Sequence, residues 1–316
     1  MSLDTVLQHF TNWFSSFNVM SLDTFLQHLT NGISLGSLYA LIAIGYTMVY
    51  GILRLINFAH GDIFMMATYF AFYGVTTFML PWYFSFLIAI ILTGALGILI
   101  ERTAYRPLRG APKISIMISA IGASFLLENV AIVMFGGRPK PFPTPEIFDK
   151  MVQIGNISVQ RLTFVIPVVT FVLLYLLLYL INHTKSGMAM RAVSKDYETA
   201  GLMGIDVNKT ISFTFGIGSM LASVGALLWA LKFPSLLPLM GVMPGLKCFI
   251  AAVIGGIGNV KGAVIGGFIL GIGEIMLVAF FQDLSGYRDA FAFVMLIVIL
   301  LLKPTGIMGE KISEKV

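Results

Sequence analysis

The sequence predicts an all-α fold, a polytopic transmembrane helical bundle with eight clear spans and a broken or re-entrant segment near 234–262. Composition is the first reason. Of 316 residues 58% are hydrophobic and only 11% charged, where a soluble chain carries roughly 25% charged residues. Segmentation is the second: apolar runs of about 20 residues, enough to cross a ~30 Å hydrocarbon core, alternate with polar loops. Glycine is the third. Many of the 32 glycines fall inside apolar runs, where small residues let helices approach closely in lipid.

Residues 1–32 form an amphipathic N-terminal segment with a duplicated 12-residue motif, MSLDTVLQHFTN at Met1–Asn12 and MSLDTFLQHLTN at Met20–Asn31. The apolar residues of each copy follow helical spacing, which suits a helix lying in the membrane interface. A duplication, or a true start at Met20, explains the repeat. The first span belongs to Ile33–Asp62, where Leu35–Leu53 carries no charge but does carry Gly36, Ser37, Gly45, Tyr46, Thr47 and Gly51. Such a helix belongs inside the bundle, and the face bearing Gly36, Gly45 and Gly51 is a candidate lining of a path or of a seam with another subunit. Further spans are Ile63–Leu80, Tyr83–Ile100, Ile114–Phe135, Leu162–Ile181, Ile211–Trp229, Ala263–Phe281 and Ala290–Leu302. Pro234, Pro238 and Pro244 interrupt the pattern before the short Leu246–Ile257 run, as in backbone unwound within protein.

Lys and Arg set the orientation. Loops 101–113 and 182–209 and the tail at 310–316 read as cytoplasmic, and loop 136–161 as external. Counting back puts the N-terminus outside and Asn57–Asp62 at the cytoplasmic end. An outside N-terminus with an inside C-terminus needs an odd number of crossings, so either the short 246–257 run crosses or the orientation read from Lys and Arg is wrong.

Several classes are excluded. One cysteine, Cys248, rules out an intrachain disulfide, and four dispersed histidines argue against a metal centre. Gly255–Gly262 lacks the Gly-Lys-Ser/Thr core of a phosphate loop. No nucleophile with a base recurs, so no enzyme is expected, no cofactor is expected in this chain, and the net charge of +5 needs no nucleic acid. What remains are polar residues in apolar runs: Asn57, His60, Asp62, Glu128, Asn129 and Glu274. Charges at mid-bilayer cost ~3 kcal/mol or more, so they face a polar route for a zwitterionic solute or tie helices together.

The segment 183–210 contains Glu198, Ala200 and Gly204, a Glu-x-Ala-x-x-x-Gly pattern. This looks like the coupling loop of ABC-importer permeases, with Thr199 in place of the pattern's first Ala. NGISLGSLYALIAIGYTMVYGILRLINFAHGD, ERTAYRPLR, KDYETAGLMGID, AAVIGGIGNVKGAVIGG and KPTGIMG occur in order from Asn31 to Gly309. Together they resemble the H-type permease subunit of bacterial branched-chain amino-acid ABC importers. The resemblance implies a transmembrane permease domain over 33–309 and a multi-pass place in the bacterial inner membrane. The implied partners are a second, M-type permease, two cytoplasmic ATPase subunits that use ATP and Mg, and a periplasmic binding protein. The implied cargo is leucine, isoleucine and valine. Relatives of the family carry urea or short amides, and the rival from another class is a stand-alone channel or secondary carrier.

Overall fold

The computed structural model describes residues 21–155 and 157–309. The first copy of the repeated motif and the tail at 310–316 lie outside the described residues.

α1 runs Leu22–Leu53 as one helix of 32 residues. Ser21 caps it, its Oγ accepting the Thr24 amide at 3.2 Å. The second motif copy is therefore the outer end of the first span, and the boundary expected at 32/33 is absent. Nothing there stops a helix: the stretch has no proline, and Gly32 packs within 3.1 Å (from its β-position) of Ile272.

After α1 come α2 (His60–Thr76) and α3 (Trp82–Ile100), which continues through a π-helical turn at Glu101–Tyr105 and a 3-10 turn at Arg106–Leu108. α4 (Lys113–Phe135) leads into a structured loop of β1 (Lys140–Pro141), the one-turn α5 (Glu146–Asp149) and the hairpin β2 (Met151–Ile154) and β3 (Ile157–Gln160). α6 (Arg161–His183) returns to the other end, where α7 (Lys185–Lys195) and α8 (Tyr197–Leu202) form the loop before α9 (Val207–Lys232). β4 (Ser235–Leu236), α10 (Val242–Gly255), α11 (Val260–Phe280), a 3-10 turn at Gln282–Tyr287 and α12 (Arg288–Leu302) complete the described chain.

α1 is the central shaft. Its most apolar window is 94% buried, against 22% for α4, 17% for α6 and 6% for α12, which lie at the periphery. The glycines explain how α1 gathers neighbours so closely. A β-carbon at Gly36 would stand 2.8 Å from the Phe268 Cα of α11, and one at Gly45 would stand 2.6 Å from the Gly218 carbonyl of α9.

The two shortest helices of the bundle interior, α2 with 17 residues and α10 with 14, meet. The His60 ring nitrogen Nε2 lies 3.3 Å from the Ile42 carbonyl. Ile42 precedes the end of α1 at Leu53 by eleven residues, about 16 Å of helix at ~1.5 Å per residue. The chain after Leu53 thus turns back into the bundle before α2 begins. Arg54 makes the reversal in the left-handed conformation, φ 52°. From the other side the extended segment 233–241 descends to α10, whose Gly241 carbonyl lies against Gly61. Pro234 and Pro238 fall in that segment, whereas Pro244 sits in the first turn of α10, where its missing amide costs nothing. Among the described residues seven helices are long enough to span, and α10 is a shorter apolar helix beside them.

The two ends are tied separately. At one end β1 pairs antiparallel with β4, Lys140 opposite Leu236, and the Lys140 ammonium donates to the Tyr73 hydroxyl at 2.7 Å. At the other end Arg109 joins the buried Glu101 to Asn208, donating to the latter at 2.6 Å.

Candidate functional site

The cluster expected at the cytoplasmic edge lies deeper. Asn57, His60 and Asp62 are 1%, 1% and 2% exposed, and His60 starts α2 near the middle of the bundle. The reason is the reversal at Arg54, which no apolar count reveals. Asn57 accepts a hydrogen bond from the Tyr105 hydroxyl at 2.8 Å. The His60 ring meets Tyr46 edge-on at 5.1 Å between centroids. Asp62 occupies the first turn of α2, where the helix dipole favours a carboxylate, and it accepts a hydrogen bond from Ser124 of α4 at 2.5 Å.

Ser124 begins a polar stripe on α4. Glu128, one turn further on, is half-buried, and Asn129 is exposed with its amide donating to the Phe125 carbonyl at 2.7 Å. Asp62, Ser124, Glu128 and Asn129 together make one polar group at mid-depth on the outside of the bundle. The rest of the exposed α4 surface, Ile118, Phe125, Leu126 and Val133 among it, is apolar, as are the exposed faces of α3, α6 and α12 with residues such as Leu87, Ile91, Phe171, Val172, Ile297 and Leu301. An amide and a half-exposed carboxylate at that depth are costly against lipid, so the α4 face suits water or protein.

Glu274 is elsewhere. It is fully buried on α11, 2.9 Å from the Lys247 ammonium of α10, 3.1 Å from the Tyr39 hydroxyl of α1 and 3.6 Å from Arg288 of α12. Lys247 also reaches Asp289 at 2.7 Å. Two cations face two carboxylates, so the group ties four helices together at nearly balanced charge. Among the glycines, Gly36 and Gly45 are closed in by α11 and α9 of the same chain. Gly51 borders a cavity of about 140 Å³ toward the cytoplasmic end, shared with Thr47, Met48, Ile52, Met190 and Thr214.

The coupling-loop pattern has a local explanation. Asp196 caps α8, its Oδ1 accepting the Glu198 amide at 2.9 Å and the Thr199 amide at 3.2 Å. Ala200 is 4% exposed and packs inward. Gly204 ends the helix with φ +83°, and the next amide, Ile205, returns to the Ala200 carbonyl at 3.1 Å, the hydrogen bond of a glycine-terminated helix. Leu202 and Met203 are left 89% and 79% exposed at the tip. Sequence reasoning missed Ser124, Tyr105 and Lys247. Each is ordinary alone and acquires a role only from a partner distant in sequence.

A multi-pass bundle with a buried central helix, a mid-depth polar group and an apolar-tipped helical turn at one end is a membrane transport permease. Residues 28–300 match the family model described as branched-chain amino acid transport system, permease component. The chain belongs to that family. It is 42% identical over 298 residues to the high-affinity branched-chain amino acid transport system permease protein BraD of Pseudomonas aeruginosa, covering 90% of this chain and 95% of BraD. It is 40% identical over 297 residues to the corresponding protein LivH of Escherichia coli K12, with the same coverage of 90% and 95%. A probable LivH of Methanocaldococcus jannaschii is 30% identical over 288 residues, covering 86% and 89%.

Proposed function

We propose that this chain is one of two permease subunits of an ATP-driven importer of leucine, isoleucine and valine in a bacterial inner membrane. The observation that carries the reading is the match to BraD at 42% identity over 90% of the chain, since BraD is named for high-affinity transport of these solutes. In this reading an M-type permease covers the α4 face, so that Glu128 and Asn129 border the route and Asp62 stands behind them. A carboxylate there attracts the ammonium end of a zwitterion, while Phe125 and Leu126 on the same face accept an aliphatic side chain.

The exposed Leu202–Met203 tip and Gly204 turn of α8 seat in a groove on one of two ATPase subunits, which bind and hydrolyse ATP with Mg. Solute comes from a periplasmic binding protein, and this chain performs no bond chemistry. The test is purification of the secreted binding protein and of this chain with its partners, followed by uptake of labelled leucine into proteoliposomes. Uptake that needs ATP and the binding protein supports the reading. Uptake by this chain alone down a gradient sinks it in favour of a channel or carrier.

A further inference from the structure

Resting on the importer reading, we infer that Tyr197 is the tether through which the cytoplasmic helical turn moves the buried end of α1 and the mid-depth polar group beyond it. Tyr197 is the first residue of α8, and its hydroxyl donates to the Ile52 carbonyl in the last turn of α1. The last four carbonyls of a helix have no partner within it, so this acceptor is open to an external donor and reports the position of the helix end. The ring itself is 41% exposed. The contact is therefore a link at the surface of the bundle and not a core-packing residue.

What lies beyond Ile52 makes the link consequential. Arg54, two residues on, holds the left-handed reversal, and Asn57, five residues on, is pinned from the α3 side by Tyr105 at 2.8 Å. The His60 amide then donates to the Asn57 carbonyl at 3.2 Å, and α2 starts with Asp62 in its first turn against Ser124. The connector between α1 and α2 is thus six residues held by two tyrosine hydroxyls, one from the cytoplasmic turn and one from the frame of the bundle. A pull on Ile52 is delivered to Asp62 through a short chain with no slack loop. Ile52 also lines the 140 Å³ cavity, so the same displacement reshapes the cytoplasmic mouth. α8 otherwise rests on α7 and on α9, which packs along α2, so Tyr197 is the contact of α8 that reaches the end of α1 just before the connector.

The experiment compares wild type with Tyr197→Phe in the complete importer in nanodiscs or proteoliposomes. Phenylalanine keeps the ring and removes only the donor. The expected result is a rise of about 2- to 10-fold in ATP hydrolysed per leucine imported, the range one hydrogen bond is worth. Hydrogen exchange supplies a readout that a merely structural role does not move. In wild type, ATP trapped with vanadate changes exchange at both 197–204 and 53–62. In Tyr197→Phe the change at 197–204 persists and that at 53–62 is lost. An unchanged ATP-to-leucine ratio with both segments still responding overturns the tether. If the wild-type complex shows no ATP-dependent uptake, it is the importer reading that fails, and the two failures are distinct.

Discussion

Gly45→Ala tests the packing on which the whole arrangement depends. The added β-carbon would lie 2.6 Å from the Gly218 carbonyl oxygen and 3.1 Å from His60 Cε1. Ordinary contact begins near 3.4 Å, so α1 and α9 must separate by 3.4 − 2.6 = 0.8 Å at this point. Neither obstacle is a flexible side-chain end, because one is backbone and the other a buried ring. A radial gap of ~0.5–1 Å forfeits a quarter to a half of each dispersion contact along the seam, and overpacking of this kind costs about 1–3 kcal/mol. Thermal unfolding of the purified chain in detergent is the assay, with Gly122→Ala as the comparison. Gly122 is in the interior of α4 with nothing within 4 Å of its β-position, so alanine there gains about 0.5–1 kcal/mol of helix stability. Gly45→Ala should melt lower than wild type and Gly122→Ala no lower. Equal melting of Gly45→Ala and wild type would refute the close α1–α9 seam.

Other perturbations read other parts of the structure. Gly204→Leu places a β-carbon at φ +83°, a strain of ~1–2 kcal/mol, and should reduce ATP-driven uptake about 5- to 30-fold while membrane insertion, checked by fractionation, is unchanged. Lys247→Met strips the fully buried Glu274 of a cation 2.9 Å away. Breaking a buried pair costs ~3–5 kcal/mol, and Arg288 at 3.6 Å puts the loss toward the lower end. Detergent-stable yield should fall, and adding Glu274→Gln should recover much of it. Ser124→Ala removes the hydroxyl donor to Asp62 and should cost about 1.5–3 kcal/mol, as for a hydrogen bond to a charged group, read as lower thermal stability with the helix content by circular dichroism preserved.

The long spans were legible in the sequence because each is a local property: α3, α4, α6, α9, α11 and α12 all overlap the apolar runs that announce them. The oddness of the 234–262 region was legible from its prolines, and the short run forms the 14-residue α10. What eluded the sequence depends on chain reversal and on distant pairs. Counting polar residues puts Asn57–Asp62 at the membrane edge, and only the Arg54 reversal carries His60 back to Ile42. Glu274 reads from the sequence as either a path residue or a tie between helices, and its partner Lys247, 27 positions earlier, is visible only in the fold. The duplicated motif reads as a separate interfacial helix by periodicity, yet its second copy simply extends α1. The Glu-x-Ala-x-x-x-Gly pattern was visible because cap, buried alanine and left-handed glycine are all set within one turn and its exit.

In the proposed importer this chain moves branched-chain amino acids only when ATP drives it through the α8 turn. The most direct measurement is labelled-leucine uptake into proteoliposomes holding this chain, its second permease and its ATPases, with the binding protein supplied on the opposite face to ATP. The prediction is uptake against a gradient that requires both ATP and binding protein and falls about 5- to 30-fold in Gly204→Leu. Leucine uptake that proceeds without ATP, or that is unchanged in Gly204→Leu, would contradict it.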